Sequence, residues 1–326
     1  MTAGPRRGVL VGATILVALV GLVAVWLLRP GATPTPRDPL DLDSLASYPP
    51  LAGFIPGATV TLSGAGDIAV CGADGDEATA ELLDDLPGYV FTAGDNAYEA
   101  GSPDDFEQCY EPSWGRHRQR TFPAPGNHDF ETAAAAGYFG YFGERAGDPR
   151  AGWYAVDLGA WRLIVLASDC ALVGGCGPDS DQGRWLAREL ARPGATRPGA
   201  CTVAIWHHPR FSTGEHGPTA AAEPFWQALH AAGVELVVNG HEHSYERFLP
   251  LDANGRPDPE RGLRQFVVGT GGAALRGFPR DHSASEVRLA SVHGVLRLDL
   301  RPGGYDWAFL PADGGDALDT GTGSCH

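Results

Sequence analysis

The chain has 326 residues, room for one large domain or two small ones, and its 43% hydrophobic and 20% charged content is that of a globular protein. Its 40 acidic residues outnumber 24 basic ones, giving a formal net charge of −16 that repels nucleic-acid backbones. Every basic residue is Arg, and beyond Arg6-Arg7 and the scattered Arg116, Arg118 and Arg120 they form no run, which excludes general nucleic-acid binding.

Arg6-Arg7 precede an uncharged apolar stretch from Gly8 to Leu28, 21 residues long and sufficient to span a bilayer. Residues 1–29 are therefore expected to form a membrane anchor or a signal segment. No short apolar core with a small-residue cleavage site precedes the following prolines, which favours the uncleaved anchor. The two leading Arg place the remainder of the chain outside the cell, anchored at the membrane or secreted if the segment is removed; Arg29 on the far flank pulls the other way. Residues 30–57 carry Pro30, Pro34, Pro36, Pro39, Pro49, Pro50 and Pro56 and read as a semi-extended stalk. A single domain is expected over 58–326.

Within that domain short β-rich runs end in Gly, Asp, Asn or His. They are ATVTLSGAGD (58–67), YVFTAGDN (89–96), WRLIVLAS (161–168), CTVAIWHH (201–208), VELVVNGHEH (234–243) and RQFVVGTGG (264–272). Helical patterns lie between several of them: DEATAELLDDL, the stretch around DQGRWLAREL, and AAAEPFWQALHAAG. Apolar strands alternating with helices predict an α/β fold with buried strands. GVLRLDL and GYDWAFL in the tail alternate like antiparallel strands. The six cysteines (Cys71, Cys109, Cys170, Cys176, Cys201 and Cys325) are an even set in an exported chain and read as disulfides, with fifteen pairings open. No CxxC pair offers a structural zinc site.

Polar residues gather at the predicted carboxyl ends of the strands, where open α/β sheets place their ligands. Five segments do so: Gly66-Asp67, Gly94-Asp95-Asn96-Ala97-Tyr98, Gly126-Asn127-His128-Asp129, Trp206-His207-His208-Pro209 and Gly240-His241-Glu242-His243. Singly each is a turn, a cap or a solvated edge; together they supply oxygen and imidazole donors from five strand ends. Two ions about 3.5–4 Å apart can clamp the attacking and leaving oxygens of a displacement at phosphorus. Holding them that close requires a bridging carboxylate, and neutral imidazole or amide donors keep the cluster positive for an anionic substrate. Mixed oxygen and nitrogen ligation suits Fe, Mn, Zn or Ni.

In these segments the chain resembles the calcineurin-like metallophosphoesterase superfamily, and within it the purple acid phosphatases, whose pattern is Asp, GDxxY, GNH(D/E), VxxH and GHxH. The resemblance covers roughly residues 60–272. Tyr98 is present, and Ala69 stands where other branches carry a His, so both positions point to the same branch. The resemblance implies a four-layer α/β/β/α sandwich with two mixed sheets, and metal-activated hydrolysis of phosphomonoesters. It implies Asp67, Asp95, Tyr98 and His243 as ligands of a ferric ion. Asp95 would bridge to a second ion (Fe, Zn or Mn) completed by Asn127, His207 and His241. His128 would contact the phosphate, and His216, nine residues after His207, would bind phosphate or protonate the leaving alcohol. A small phosphate ester is the expected partner, with the membrane reached through the N-terminal segment.

Some positions lie outside the pattern. Ala204 replaces the Val of VxxH, a packing change, and His208 reads as a strand-end side chain pointing away. Arg210 and Arg247 read as solvated surface residues, and Tyr245 as a packing residue. Phosphodiester hydrolysis at the same site, and a non-catalytic surface protein, are the rival functions.

Overall fold

The computed structural model describes residues 57–192 and 201–326, together with Met1, Thr2, Gly4 and Ile55. The expected N-terminal membrane segment (1–29) and stalk (30–57) lie outside the described residues but for Met1, Thr2, Gly4, Ile55 and Gly57.

The predicted runs become strands cut short at their polar ends. Two of them, β1 (Val60–Ala65) and β2 (Tyr89–Ala93), lie side by side and parallel, and a short strand outside those runs, β3 (Thr121–Ala124), pairs parallel with β2. The tail continues this sheet with β11 (Gly294–Arg301), β12 (Gly304–Pro311) and β13 (Asp319–Ser324), giving the order β13-β12-β11-β1-β2-β3. A second sheet holds β4 (Tyr154–Leu158), β5 (Trp161–Val165), β6 (Cys201–Ile205), β7 (Leu236–Asn239), β8 (Tyr245–Phe248), β9 (Arg264–Val268) and β10 (Ser285–Leu289). Its order is β10-β8-β9-β7-β6-β5-β4, with β5, β6, β7 and β9 parallel. Both sheets are mixed, as expected.

Strand alternation explains the layering. Leu163, Val203, Leu236 and Phe266 of the second sheet share one buried cluster with Leu62, Phe91, Leu296 and Leu298 of the first. Their chain neighbours Ile164, Ala204, Val237 and Val267 join a separate cluster on the other face. Two helices, α3 (Asp181–Leu190) and α4 (Glu223–Ala232), cover that outer face with Trp185, Leu186, Phe225, Trp226 and Leu229. Burying each of these large side chains contributes roughly 1.5–3 kcal/mol. Ser180 caps α3 by accepting from the Gly183 amide at 3.0 Å, and Gly233 ends α4 in the left-handed region. On the first sheet's side, α1 (Gly75–Asp85) packs Ala80 and Leu83, and α2 (Ala136–Phe142) packs Tyr138 and Phe142. The result is the four-layer α/β/β/α sandwich.

All six cysteines are paired, as Cys71–Cys109, Cys170–Cys176 and Cys201–Cys325. One expectation is corrected here. Arg247 is not a solvated residue, because it lies in the middle of β8, is buried, and is bound by Asp319 Oδ2 of β13 at 2.7 Å and by Glu286. Tyr245 packs as expected and donates to the same Asp319 at 2.6 Å.

Candidate metal centre

The expected ligands follow five strands by two to five positions, and the five strands belong to both sheets. Asp67, Asp95 and Asn127 follow β1, β2 and β3; His207 follows β6, and His241 and His243 follow β7. The sheets close on one another at this end, where the Gly66 amide donates to Val268 O across them at 2.8 Å. To aim inward straight after a strand, the backbone must turn sharply. Asp67, Asp95 and His241 do so with φ of 58°, 50° and 72°, a left-handed conformation uncommon outside glycine. The adjoining glycines permit close approach: a Cβ on Gly126 would lie 2.2 Å from Asp95 Oδ1, and one on Gly94 2.5 Å from His207 Nδ1.

The side chains converge as two overlapping groups of donor atoms. In the first, Tyr98 Oη lies 3.1 Å from Asp67 Oδ1, 3.3 Å from Asp95 Oδ2 and 3.2 Å from His243 Nε2. His243 Nε2 is in turn 3.3 Å from Asp67 Oδ1. In the second, His207 Nε2 lies 3.2 Å from Asp95 Oδ2, 3.1 Å from Asn127 Oδ1 and 3.2 Å from His241 Nδ1. Asp95 Oδ2 belongs to both. Ligand atoms bound at about 2.0–2.2 Å to one ion stand about 3 Å apart from each other, so both groups have the spacing of a coordination shell.

Outer contacts fix which atoms face inward. The rings of His207 and His243 donate through Nδ1 to Ala93 O (2.9 Å) and Ala274 O (2.8 Å), leaving each Nε2 as a lone-pair donor toward the cluster. Asp67 Oδ2 accepts from the His241 amide at 2.8 Å and Asp95 Oδ1 from the His128 amide at 2.9 Å, so each turns its other oxygen inward. Lone pairs converging this closely repel unless a proton or a cation lies among them. The residues present therefore fit a pair of metal ions.

The chain's own charges tell the same story. Burial opposes ionisation of Asp95, but the His207 charge and hydrogen bond hold its carboxyl below the usual range. Burial would lower His207, yet Asp95 outweighs it and raises the imidazole to about 10. His241 is pushed down by burial and then by His207. Burial and the charges of Asp67 and Asp95 push the Tyr98 phenol well above its ordinary value. Only a strongly acidic ion could displace that proton.

His128 donates through Nδ1 to Glu99 O, and its Nε2 lies 4.0 Å from Asp95 Oδ2. His216 stacks on His241 with ring centroids 4.4 Å apart, while Arg276 approaches its Nε2. The structure thus gathers all nine expected site residues. His208 departs from expectation. Its ring lies 4.4 Å from that of His241, and Nδ1 meets Ser168 Oγ at 2.8 Å, because β6 ends at Ile205 and strand alternation no longer governs position 208. Three supports went unread. Asp129 accepts from Gly126 N at 2.8 Å and Asn96 Nδ2 at 2.9 Å, locking two motif loops together, and burial raises its carboxyl to about 7. Glu242 accepts from Ser212 Oγ (3.2 Å), His216 N (3.1 Å) and Gly217 N (2.5 Å), tying the His216 loop down. Asp129, Asn96 and Glu242 all sit inside the motif segments, which was the available signal.

Fold and donor arrangement together are those of the metal-dependent phosphoesterases. The calcineurin-like phosphoesterase family model matches residues 64–245, more than half of the chain, and the chain belongs to that family. Within it the similarity runs to the purple acid phosphatases. Purple acid phosphatase 21 of Arabidopsis thaliana is 29% identical over 164 residues, covering 48% of this chain and 36% of the relative. Mouse acid phosphatase type 7 is 30% identical over 208 residues, covering 55% and 46%. The chain thus spans less than half the length of these relatives. The purple acid phosphatase from yellow lupin seeds shares the fold with a TM-score of 0.70 at 19% identity, over 83% of this chain and 55% of that one.

Proposed function

We propose that this chain is an exported phosphatase that hydrolyses phosphomonoesters at a dinuclear metal centre. The observation that carries the reading is the pair of donor groups sharing Asp95 Oδ2. Asp67, Asp95, Tyr98 and His243 would hold a ferric ion, and Asp95, Asn127, His207 and His241 a second ion, Fe, Zn or Mn. When bound, the ions supply positive charge for the phosphoryl oxygens and a nucleophile from water at neutral pH.

The chain's own residues do the rest. Asp95, its outer oxygen fixed by the His128 amide, presents one oxygen to both ion positions. His128, with Nδ1 engaged by Glu99 O, turns Nε2 toward the phosphate. His216, seated over His241 by its Glu242-anchored loop, is placed to donate a proton or hydrogen bond to the leaving oxygen. The three disulfides support an oxidising compartment, and the 1–29 segment a membrane anchor with the catalytic domain outside the cell.

A simple aryl phosphate and its bis-aryl diester test the substrate class. The monoester should turn over and the diester should not; the reverse preference would make the chain a diesterase, and turnover of neither would leave a non-catalytic member of the family. His216→Ala should keep its metal and lose most rate on esters with poor leaving groups. Equal losses on good and poor leaving groups would make His216 a binding residue only.

A further inference from the structure

Most arginines in the described residues are neutralised. Arg116, Arg162, Arg247, Arg264, Arg297 and Arg301 all hold a carboxylate in an ion pair. Arg276 and Arg280 do not: among the described residues neither guanidinium has a carboxylate at ion-pair distance. Arg118, Arg120, Arg256 and Arg261 share this lack, but only Arg276 and Arg280 bind the loop that carries His216. Half-buried Arg276 reaches the Nε2 of His216. Arg280, more exposed, donates to Gly214 O and, at 2.9 Å, to Glu215 O.

The segment carrying them is fixed against the metal centre. The Arg276 amide donates to His243 O at 2.8 Å, and His243 Nδ1 to Ala274 O at 2.8 Å. The Arg280 amide donates to Thr213 O at 3.1 Å. The acids nearby are otherwise engaged. Glu242 is buried and satisfied by Ser212, His216 and Gly217, and Glu215 Oε1 lies 3.4 Å from the Gly277 amide. Two cations without a carboxylate partner therefore stand beside His216, the residue proposed above to serve the leaving alcohol.

We propose that Arg276 and Arg280 form a subsite for a second anionic group, a carboxylate or a phosphate, carried on the alcohol portion of the substrate. The proposal rests on the phosphatase reading and narrows it to phosphomonoesters whose leaving group is itself anionic. Arg276 provides the fork that a carboxylate or phosphate takes up bidentately, and its half-buried position limits screening. Arg280 adds charge from the rim. The subsite gives selectivity among esters without altering the metal-binding residues.

The probes are phenyl phosphate and 3-carboxyphenyl phosphate, which share a phenolic leaving group and differ in one carboxylate. The readout is the ratio of kcat/KM for the carboxylated ester over the plain one. Arg276→Ala should lower that ratio about tenfold, the loss of one charge-assisted contact. Arg280→Ala should lower it about threefold, as a more solvated cation would. Arg276→Lys, which keeps the charge, should retain part of the ratio, and added salt should lower it in the wild type. An unchanged ratio in Arg276→Ala, with both esters slowed equally, would overturn the subsite and leave Arg276 as support for His216. Wild-type protein that hydrolyses neither ester would overturn the phosphatase reading itself.

Discussion

Beyond the carboxyl ends of β6 and β7 stand His207 and His241; at the amino ends of the same strands lie the Cys201–Cys325 bridge and Glu235. Both ends bury carboxylates, and they treat them in opposite ways. Asp95 is almost fully enclosed yet stays ionised, because His207 and the His128 amide both stabilise its charge. Glu235 is equally enclosed, but only backbone amides, that of Thr202 at 2.7 Å foremost, stabilise its charge, and its Oε1 has no hydrogen-bond partner. Burial therefore raises its carboxyl to about 7. Cys201 and Cys325 lie beside it with their sulfurs locked in a disulfide, so this cluster offers no thiolate to an ion. Burial alone makes a carboxyl keep its proton; converging cationic partners make it an anion able to hold metal.

The sharpest break of this contrast is at Asp95. Asp95→Asn should reduce kcat by about a thousandfold or more and lower bound metal, since two cations would face each other without the bridge. Turnover assays with elemental analysis check this, and full metal with normal turnover would sink the dinuclear reading. At the other end, replacing Cys201 and Cys325 together by Ser opens a link between residues 124 apart. Stability should fall by about 4 kcal/mol in urea unfolding, with kcat/KM unchanged because the bridge lies away from the donors. A comparable loss of kcat/KM in folded protein would show that the two ends are coupled.

Glu235 gives a smaller, pH-dependent effect. Its folded carboxyl titrates near 7 against an ordinary value of 4.5, so between those pH values the folded chain holds a proton that the unfolded chain has released. The associated stability is fully present below pH 4.5 and is lost as pH rises through 7. Glu235→Gln should therefore match the wild type near pH 4.5 and exceed it at pH 8 by roughly 1–3 kcal/mol. Parallel melting curves across that range would show that the carboxyl is not protonated in the folded chain.

The same contrast marks what the sequence made legible. The donor segments could be read because their residue types are chemically restricted and follow strong apolar strands. The four-residue β3, interrupted by Pro123, and β13 (DTGTGS), which lacks apolar alternation, carry too little side-chain signal and exist through pairing with their neighbours. Arg247 read as exposed because its partner Asp319 is 72 residues away. His208 stands three residues beyond the end of β6, where strand position no longer fixes which way a side chain points. The left-handed turns at Asp67, Asp95 and His241 leave no mark in residue type, and the disulfide pairing follows from the fold alone.

Tyr98 and Asp95 would together hold a strongly acidic ion beside a second one. The Tyr98 phenol sits between two carboxylates and is held well above its ordinary pKa, so a ligand bond requires an ion such as ferric iron to displace its proton. Metal analysis combined with a visible spectrum of the purified domain, wild type and Tyr98→Phe, tests this directly. The expected result is two metal ions per chain, one of them iron, and a phenolate-to-iron absorption band that the substitution removes. A colourless, fully active wild type containing only divalent ions would contradict it.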